Sequence, residues 1–409
     1  MITPPVPAQF ADRMKIAQPE GATAGVYNKS FINLKPVFTE PDAEKIRSLY
    51  KIQIFPAFLF LESNGKLVYK TGGNVFVADG FNDMANTALA RISSGKTLSH
   101  YEDLLNAGNI DRKQLEEYIS LRQEFDMHDN AELADKYVGL LTVNELDDYS
   151  RVLFILKMGP YAYGKAFGLA YTNKRITDSI FKREPLEIRK AINNRTIVNT
   201  RAKAIKEKDL KGAQNLAAFI RTTWGTDYKE AQKGYTEELL NYYRAVKDTT
   251  NYYQQASYYY DQYLYISADS AKKLQDKTLE VLRMPETVKT QLNSAMATNS
   301  GTFGRVVAIP AGDQVSSSLN NGAYSFYTLG TTNINLLIKA LLWSRRSIEI
   351  RPLPEYYDTM AHIMYRMKFY DEAVLNQTKA IELAKNSVGR AQMAINWQSE
   401  LDKMKARKL

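Results

Sequence analysis

A chain with 27 tyrosines, three histidines and no cysteine has a narrow chemical repertoire. Without sulfur there is no thiol nucleophile, no disulfide and no cysteine-held metal. His100, His128 and His362 lie far apart, and no His-x-x-x-His pair or regular acidic loop points to zinc or calcium. His362, beside Ala361 in a helical pattern, is expected to pack or to make a local hydrogen bond. Glu124, Asp126 and Asp129 gather at one break, as acids commonly do at helix ends. A carboxylate pair assembled from distant residues stays open as an acid/base device. Gly301-Thr-Phe-Gly304-Arg305 lacks the spacing of a phosphate-cradling loop and reads as a polar linker. No cofactor and no metal are expected, and an enzymatic role stays open.

Binding chemistry is better represented. Tyr252, Tyr253, Tyr258, Tyr259, Tyr260, Tyr263 and Tyr265 crowd one short stretch. Tyrosines offer amphipathic contacts that stack on sugars, bases or protein surfaces. Yet Tyr252, Ala256, Tyr259 and Tyr263 recur at helical spacing, which turns them toward a neighbouring helix. Both readings stand, with Tyr259 and Tyr263 as the ligand candidates. A second candidate is Phe55-Pro56-Ala57. Pro56 precedes an apolar run that reads as a strand, where proline cannot donate to the ladder. A turn or a cis peptide would resolve this and expose neighbouring backbone to an extended polypeptide.

The net charge is +9. Residues 174 to 211 hold twelve Lys/Arg against five Asp/Glu. The interspersed acids favour a solvated helical face or an acidic protein partner over nucleic acid. No stretch approaches the roughly 18 apolar residues of a membrane span. The start, Met1-Ile-Thr-Pro-Pro-Val-Pro, has no signal-peptide pattern, and Pro4 to Pro7 read as an extended leader.

These residues need elements to place them. Phe31-Ile-Asn-Leu-Lys35 alternates like a strand. Pro41 to Tyr50 reads as a helix with Ala43, Ile46 and Tyr50 on one face. Residues 57 to 62 and 66 to 70 predict two strands joined by a two-residue hairpin at Asn64-Gly65. Residues 80 to 93 carry a helical stripe of Phe81, Met84, Ala88 and Ile92. Beyond a break at Ser93 to Thr97 the pattern is helical: 101–106, 112–125, 131–140, 144–156, 184–192, 202–223, 228–247, 249–266 and 270–282. The division expected is 1–96 for the α/β unit, 97–300 for a helical body and 301–409 for C-terminal helices.

Residues 31 to 93 resemble the second half of a thioredoxin-like domain of Bacteroidetes-type secreted proteins. Phe31 to Lys35 matches the central strand, Ile54-Phe55-Pro56 the place of the family's cis-proline, and Phe58 to Tyr69 the following hairpin, with Gly72-Gly73 closing it. The resemblance sets the family's Cys-x-x-Cys near Ala8-Gln-Phe-Ala11, where Ala8 and Ala11 stand instead, so disulfide exchange is lost. Tyr356 to Lys385 resembles a tetratricopeptide repeat, with Ala361, Ala373 and Ala380 at the small positions and Tyr365, Phe369 and Leu383 supplying bulk. Asn320 to Ile350 reads as a more degenerate pair. The resemblance implies a degenerate thioredoxin-like unit followed by tetratricopeptide-like helices. The expected role is a non-catalytic adaptor or chaperone-like module for a polypeptide partner, periplasmic or secreted. Two alternatives remain: a thiol-disulfide oxidoreductase whose cysteines are replaced, and glycan or peptide capture by the tyrosine-rich helices.

Overall fold

The computed structural model describes residues 21–34, 41–52, 54–73, 78–267, 269–271, 273, 314–387 and 390–409. They fall in two compact units. The first lies within Met1–Ile176 and Ile192–Asn199, the second within Thr177–Ala191 and Thr200–Leu409. The sequence break at 93–97 is internal to the first.

The first unit begins with α1 (Gly21–Ser30), α2 (Pro41–Leu49), β1 (Ala57–Leu61), β2 (Leu67–Gly72) and α3 (Ala78–Ser93). β1 and β2 pair antiparallel, with Ala57 opposite Gly72 and Phe60 opposite Tyr69. Successive strand side chains point to opposite faces, and here both faces are covered. Phe58 and Phe60 pack with Tyr27, Phe81, Met84 and Ala88 from α1 and α3. Ala57 and Leu59 pack with Ile46, Tyr50 and Ile52 around α2. That is why β1 is a continuous apolar run rather than an alternating one.

Two expectations need correction. Residues 31–34 form no strand, and Ile32 is 94% exposed; only Phe31 joins the core, its ring 5.2 Å from that of Phe60. The hairpin is also wider than two residues. Glu62 N donates to Lys66 O and Gly65 N to Glu62 O, both at 2.9 Å, so Ser63, Asn64 and Gly65 form the loop. Gly65 takes the left-handed conformation at φ 81°, which a three-residue loop of this kind requires.

α4 (Leu98–Asn106), α5 (Arg112–Glu124), α6 (Ala131–Val138), a 3-10 turn at Val143–Asp147, α7 (Tyr149–Lys157) and α8 (Lys165–Ala170) follow. Asp111 and Gln114 form a reciprocal capping box at the start of α5. Asp148 caps α7 by accepting from Arg151 N at 2.7 Å, so the expected single helix over 144–156 is two elements. Tyr118, Ile119, Tyr137, Ile155 and Met158 are all buried here.

α9 (Lys174–Arg183) and α10 (Leu186–Glu207) lead into the second unit. It continues with α11 (Leu210–Thr222), α12 (Tyr228–Ala245), α13 (Thr249–Leu264), α14 (Gln314–Thr328), α15 (Ile334–Ile350), α16 (Pro354–Arg366), α17 (Tyr370–Lys385) and α18 (Ala391–Lys405). The expected continuous helix over 202–223 breaks at Lys208, whose φ of 54° ends α10. Consecutive helices pack on one another: α11 on α12, α14 on α15, α16 on α17 and α17 on α18. Ala361, Ala373 and Ala380 are each at 0% exposure, the small positions that let α16 and α17 approach. Tyr252, Ala256, Leu319, Phe326, Ala340 and Trp343 belong to the large shared core. A stack of helices, each covering its neighbour's apolar face, is the economical solution for such a sequence. No helix among the described residues is long and apolar enough to cross a membrane.

Candidate functional site

The Phe55–Pro56 peptide is cis, at the mouth of β1. Pro56 and Ala57 are buried and Phe55 is half-buried. The Pro56 carbonyl accepts from Gly73 N at 2.9 Å. An added Cβ on Gly72 would lie 3.1 Å from the Ile54 carbonyl oxygen, so glycine there admits the close backbone approach. The three residues expected to receive a peptide are thus largely spent on packing beneath α2. Ile54 is the exposed apolar residue of this segment. Ala8 and Ala11 lie outside the described residues, as do Pro4 to Pro7 and Gly301 to Arg305.

Tyr259 is buried. Its hydroxyl donates to Glu237 at 2.7 Å and lies 3.1 Å from that of Tyr263. Burial, followed by the hydrogen bond to Tyr263, raises its pKa far above the phenolic range. It stays a neutral donor in a helix seam, where the helical spacing placed it. Tyr263 is half-buried, and Tyr258 and Tyr265 are the tyrosines of this stretch that face outward. Glu124, Asp126 and Asp129 do not converge as a carboxylate pair. Each is matched to a base: Arg91 at 2.8 Å, Lys70 at 2.7 Å and Arg122 at 3.0 Å respectively.

The second unit holds a constellation that the sequence reading passed over. Asp358 and His362 stand one turn apart on α16, and Glu400 faces them from α18. One ligand-type atom from each lies within 4.8 Å of the others. His362 Nδ1 is 2.8 Å from the Asp358 carbonyl oxygen and 3.7 Å from Oδ1 of the same residue. Nε2 is 3.6 Å from Glu400 Oε2. Gln377, on α17, donates from Nε2 to Asp358 Oδ1 at 2.8 Å. The Tyr327 ring lies 4.9 Å from the imidazole, and the Arg366 guanidinium sits 4.1 Å from the centre of that ring. Burial drives the Asp358 carboxyl well above the usual carboxylate range; Glu400 and Glu355 add to this, while His362 and the Gln377 hydrogen bond oppose it. The legible signal was Asp358-x-x-x-His362, one helical turn on a single face. Glu400 is too distant in sequence to be paired by spacing.

Comparison with protein-family models, curated proteins and solved structures finds no match to this chain. Its function therefore has to be read from its own surfaces.

One such surface is the outward face of α15. Leu337, Ala340, Trp343, Ser344 and Ser347 bury its inner side. Ile334, Ile338 and Leu342, spaced by four, are nonetheless 53%, 43% and 46% exposed. Large aliphatic side chains of a helix ordinarily face its neighbours; among the described residues this stripe stays open.

Proposed function

We propose that this chain is a non-catalytic binding module, an adaptor or chaperone-like protein whose helical unit holds a polypeptide partner. The observation that carries the reading is the open stripe of Ile334, Ile338 and Leu342 on α15. Three large aliphatic side chains at successive turns form a row that an amphipathic helix of a partner protein can lie along, with its own apolar residues at i, i+4 and i+7. Exposed apolar rows on otherwise well-packed molecules mark interaction sites. Stacked helix pairs supply rigid extended surfaces of this kind. The resemblance of residues 31–93 to thioredoxin-like domains of secreted proteins supports a placement in the bacterial envelope.

The test uses full-length protein and an Ile338→Asp/Leu342→Asp double variant as baits in a bacterial envelope extract, with circular dichroism confirming equal helicity. The reading expects a protein retained in near-stoichiometric amount by the unaltered chain and lost from the variant. Equal retention by both baits would overturn it.

A second reading has an observation of its own. Tyr258 and Tyr265 are both strongly exposed and stand seven residues apart, on one side of α13 and its C-terminal cap. Two open phenol rings two turns apart suit stacking against a glycan. Loss of glycan retention in a Tyr258→Ala/Tyr265→Ala variant would favour this reading; unchanged retention would dismiss it.

A further inference from the structure

We propose that Asp358, His362 and Glu400 bind one divalent transition-metal ion, of the zinc or manganese class, which clips α18 to α16. The argument starts from the imidazole. A backbone carbonyl can only accept, so the 2.8 Å contact from His362 Nδ1 to the Asp358 carbonyl puts the ring proton on Nδ1. The lone pair of the neutral ring is then on Nε2. A metal-ligating histidine is held in this way by its other nitrogen, commonly by a carbonyl.

Nε2 faces Glu400 Oε2 at 3.6 Å. That separation exceeds a hydrogen bond. It lies close to the edge of a tetrahedral site, roughly 3.4 Å for two ligands bonded at about 2.0–2.2 Å. The Asp358 carboxylate, grouped with the other two donors within 4.8 Å, supplies the third, and Gln377 orients it through the 2.8 Å bond to Oδ1.

Gln377 is itself held in place by burial. It is 0% exposed, yet its Oε1 has no hydrogen-bond partner. Its Nε2 is committed to Asp358, so burial and that bond fix the orientation of the carboxylate beside His362. Two carboxylates, Asp358 buried and Glu400 partly exposed, beside a neutral imidazole make a locally acidic cluster. A doubly charged ion balances it. One nitrogen and two carboxylate donors suit zinc, manganese or iron rather than calcium or magnesium.

The experiment titrates the chelator-treated full-length chain with Zn²⁺ and Mn²⁺ by calorimetry, with Mg²⁺ as control. Co²⁺ serves as a spectroscopic probe of a nitrogen-containing tetrahedral site. The expected results are a stoichiometry of one, a rise in thermal midpoint with saturating metal, and cobalt bands in the visible. Glu400→Gln keeps the shape and hydrogen-bonding capacity of the half-exposed ligand, so it tests the site even if Asp358→Asn or His362→Gln fails to fold. It should weaken Zn²⁺ by tenfold or more. Absence of one-to-one binding by the folded chain overturns the proposal. So does unchanged affinity in folded Glu400→Gln, which would place the bound metal elsewhere on the chain.

Discussion

His128 and Gly159 show how single residues of the first unit are constrained. Arg195 Nη2 lies 3.4 Å from His128 Nε2, so Nε2 accepts and the proton sits on Nδ1, which is buried without a partner. Burial, and then the Arg195 charge, hold this histidine below its ordinary value of 6.5; Lys51 adds to the effect, while Asp126 and Asp129 oppose it. Between the ordinary and the lowered pKa, the unfolded chain binds a proton that the folded chain does not. Stability contributed by the neutral ring is therefore whole above the ordinary value and is lost as pH falls through that window. His128→Gln should flatten this acid slope in urea unfolding measured across roughly pH 5 to 8; an unchanged slope would refute the assignment. Gly159 adopts φ 70°, and a Cβ there would lie 2.5 Å from Arg195 Cβ and 2.9 Å from that residue's carbonyl carbon. Gly159→Ala should cost roughly 1–2 kcal/mol for the left-handed backbone and about 1–3 kcal/mol more for overpacking, read as a lower thermal midpoint. Glycine 159 was visible in the sequence, but its neighbour Arg195 was not. The same holds for Asp358 and His362, one turn apart on a readable helix, whose third member Glu400 depends on how α18 folds back.

At the scale of elements, helix types were readable and some helix ends were not, because several ends use residues that sequence reading does not treat as breakers. Lys208, Lys247 and Lys368 take φ values of 54°, 61° and 67° and close α10, α12 and α16. Each makes the paired closing bonds of a left-handed cap: Lys368 N to Tyr365 O and Phe369 N to Met364 O, both at 2.9 Å, is one case. Each is followed by a single residue before the next helix begins, which turns the chain back on itself. Glycine marks such a cap in a sequence; lysine hides it, and the stretch over 202–223 consequently looked continuous. The strand expected at 31–35 failed for a different reason. Alternation in Phe31 to Leu34 mimics a half-buried strand, but Ile32 and Leu34 are strongly exposed. Lys368→Gly should relieve a left-handed cost of roughly 1–2 kcal/mol, partly offset by the entropy of glycine. A net gain of about 0.5–1 kcal/mol in denaturant unfolding is expected, and a loss would show that the lysine stem contributes packing that outweighs its strain.

For the molecule as a whole, the sequence conveyed the proportions, a small α/β segment followed by a long helical region, because periodicity survives without knowledge of contacts. It pointed to binding surfaces less well. Tyr259 and Pro56 drew notice by type and are buried, whereas Ile334, Ile338 and Leu342 drew none and are exposed. Which apolar residues of such a helix stay open is decided by neighbours that periodicity does not name. Whole-molecule charge then separates two kinds of partner. A net charge of +9 attracts acidic macromolecules in general, and such attraction between exposed charges fades as salt shortens the screening length from about 10 Å at 0.1 M to about 3 Å at 1 M. Contact along the α15 stripe depends on apolar area removed from water, which added salt does not weaken. A partner held by that stripe should stay bound when the capture is washed at roughly 1 M sodium chloride, and the Ile338→Asp/Leu342→Asp variant should lose it at low and high salt alike. Release by salt from the unaltered chain would assign the interaction to basic surface instead, and the apolar row would no longer explain why this protein holds a partner.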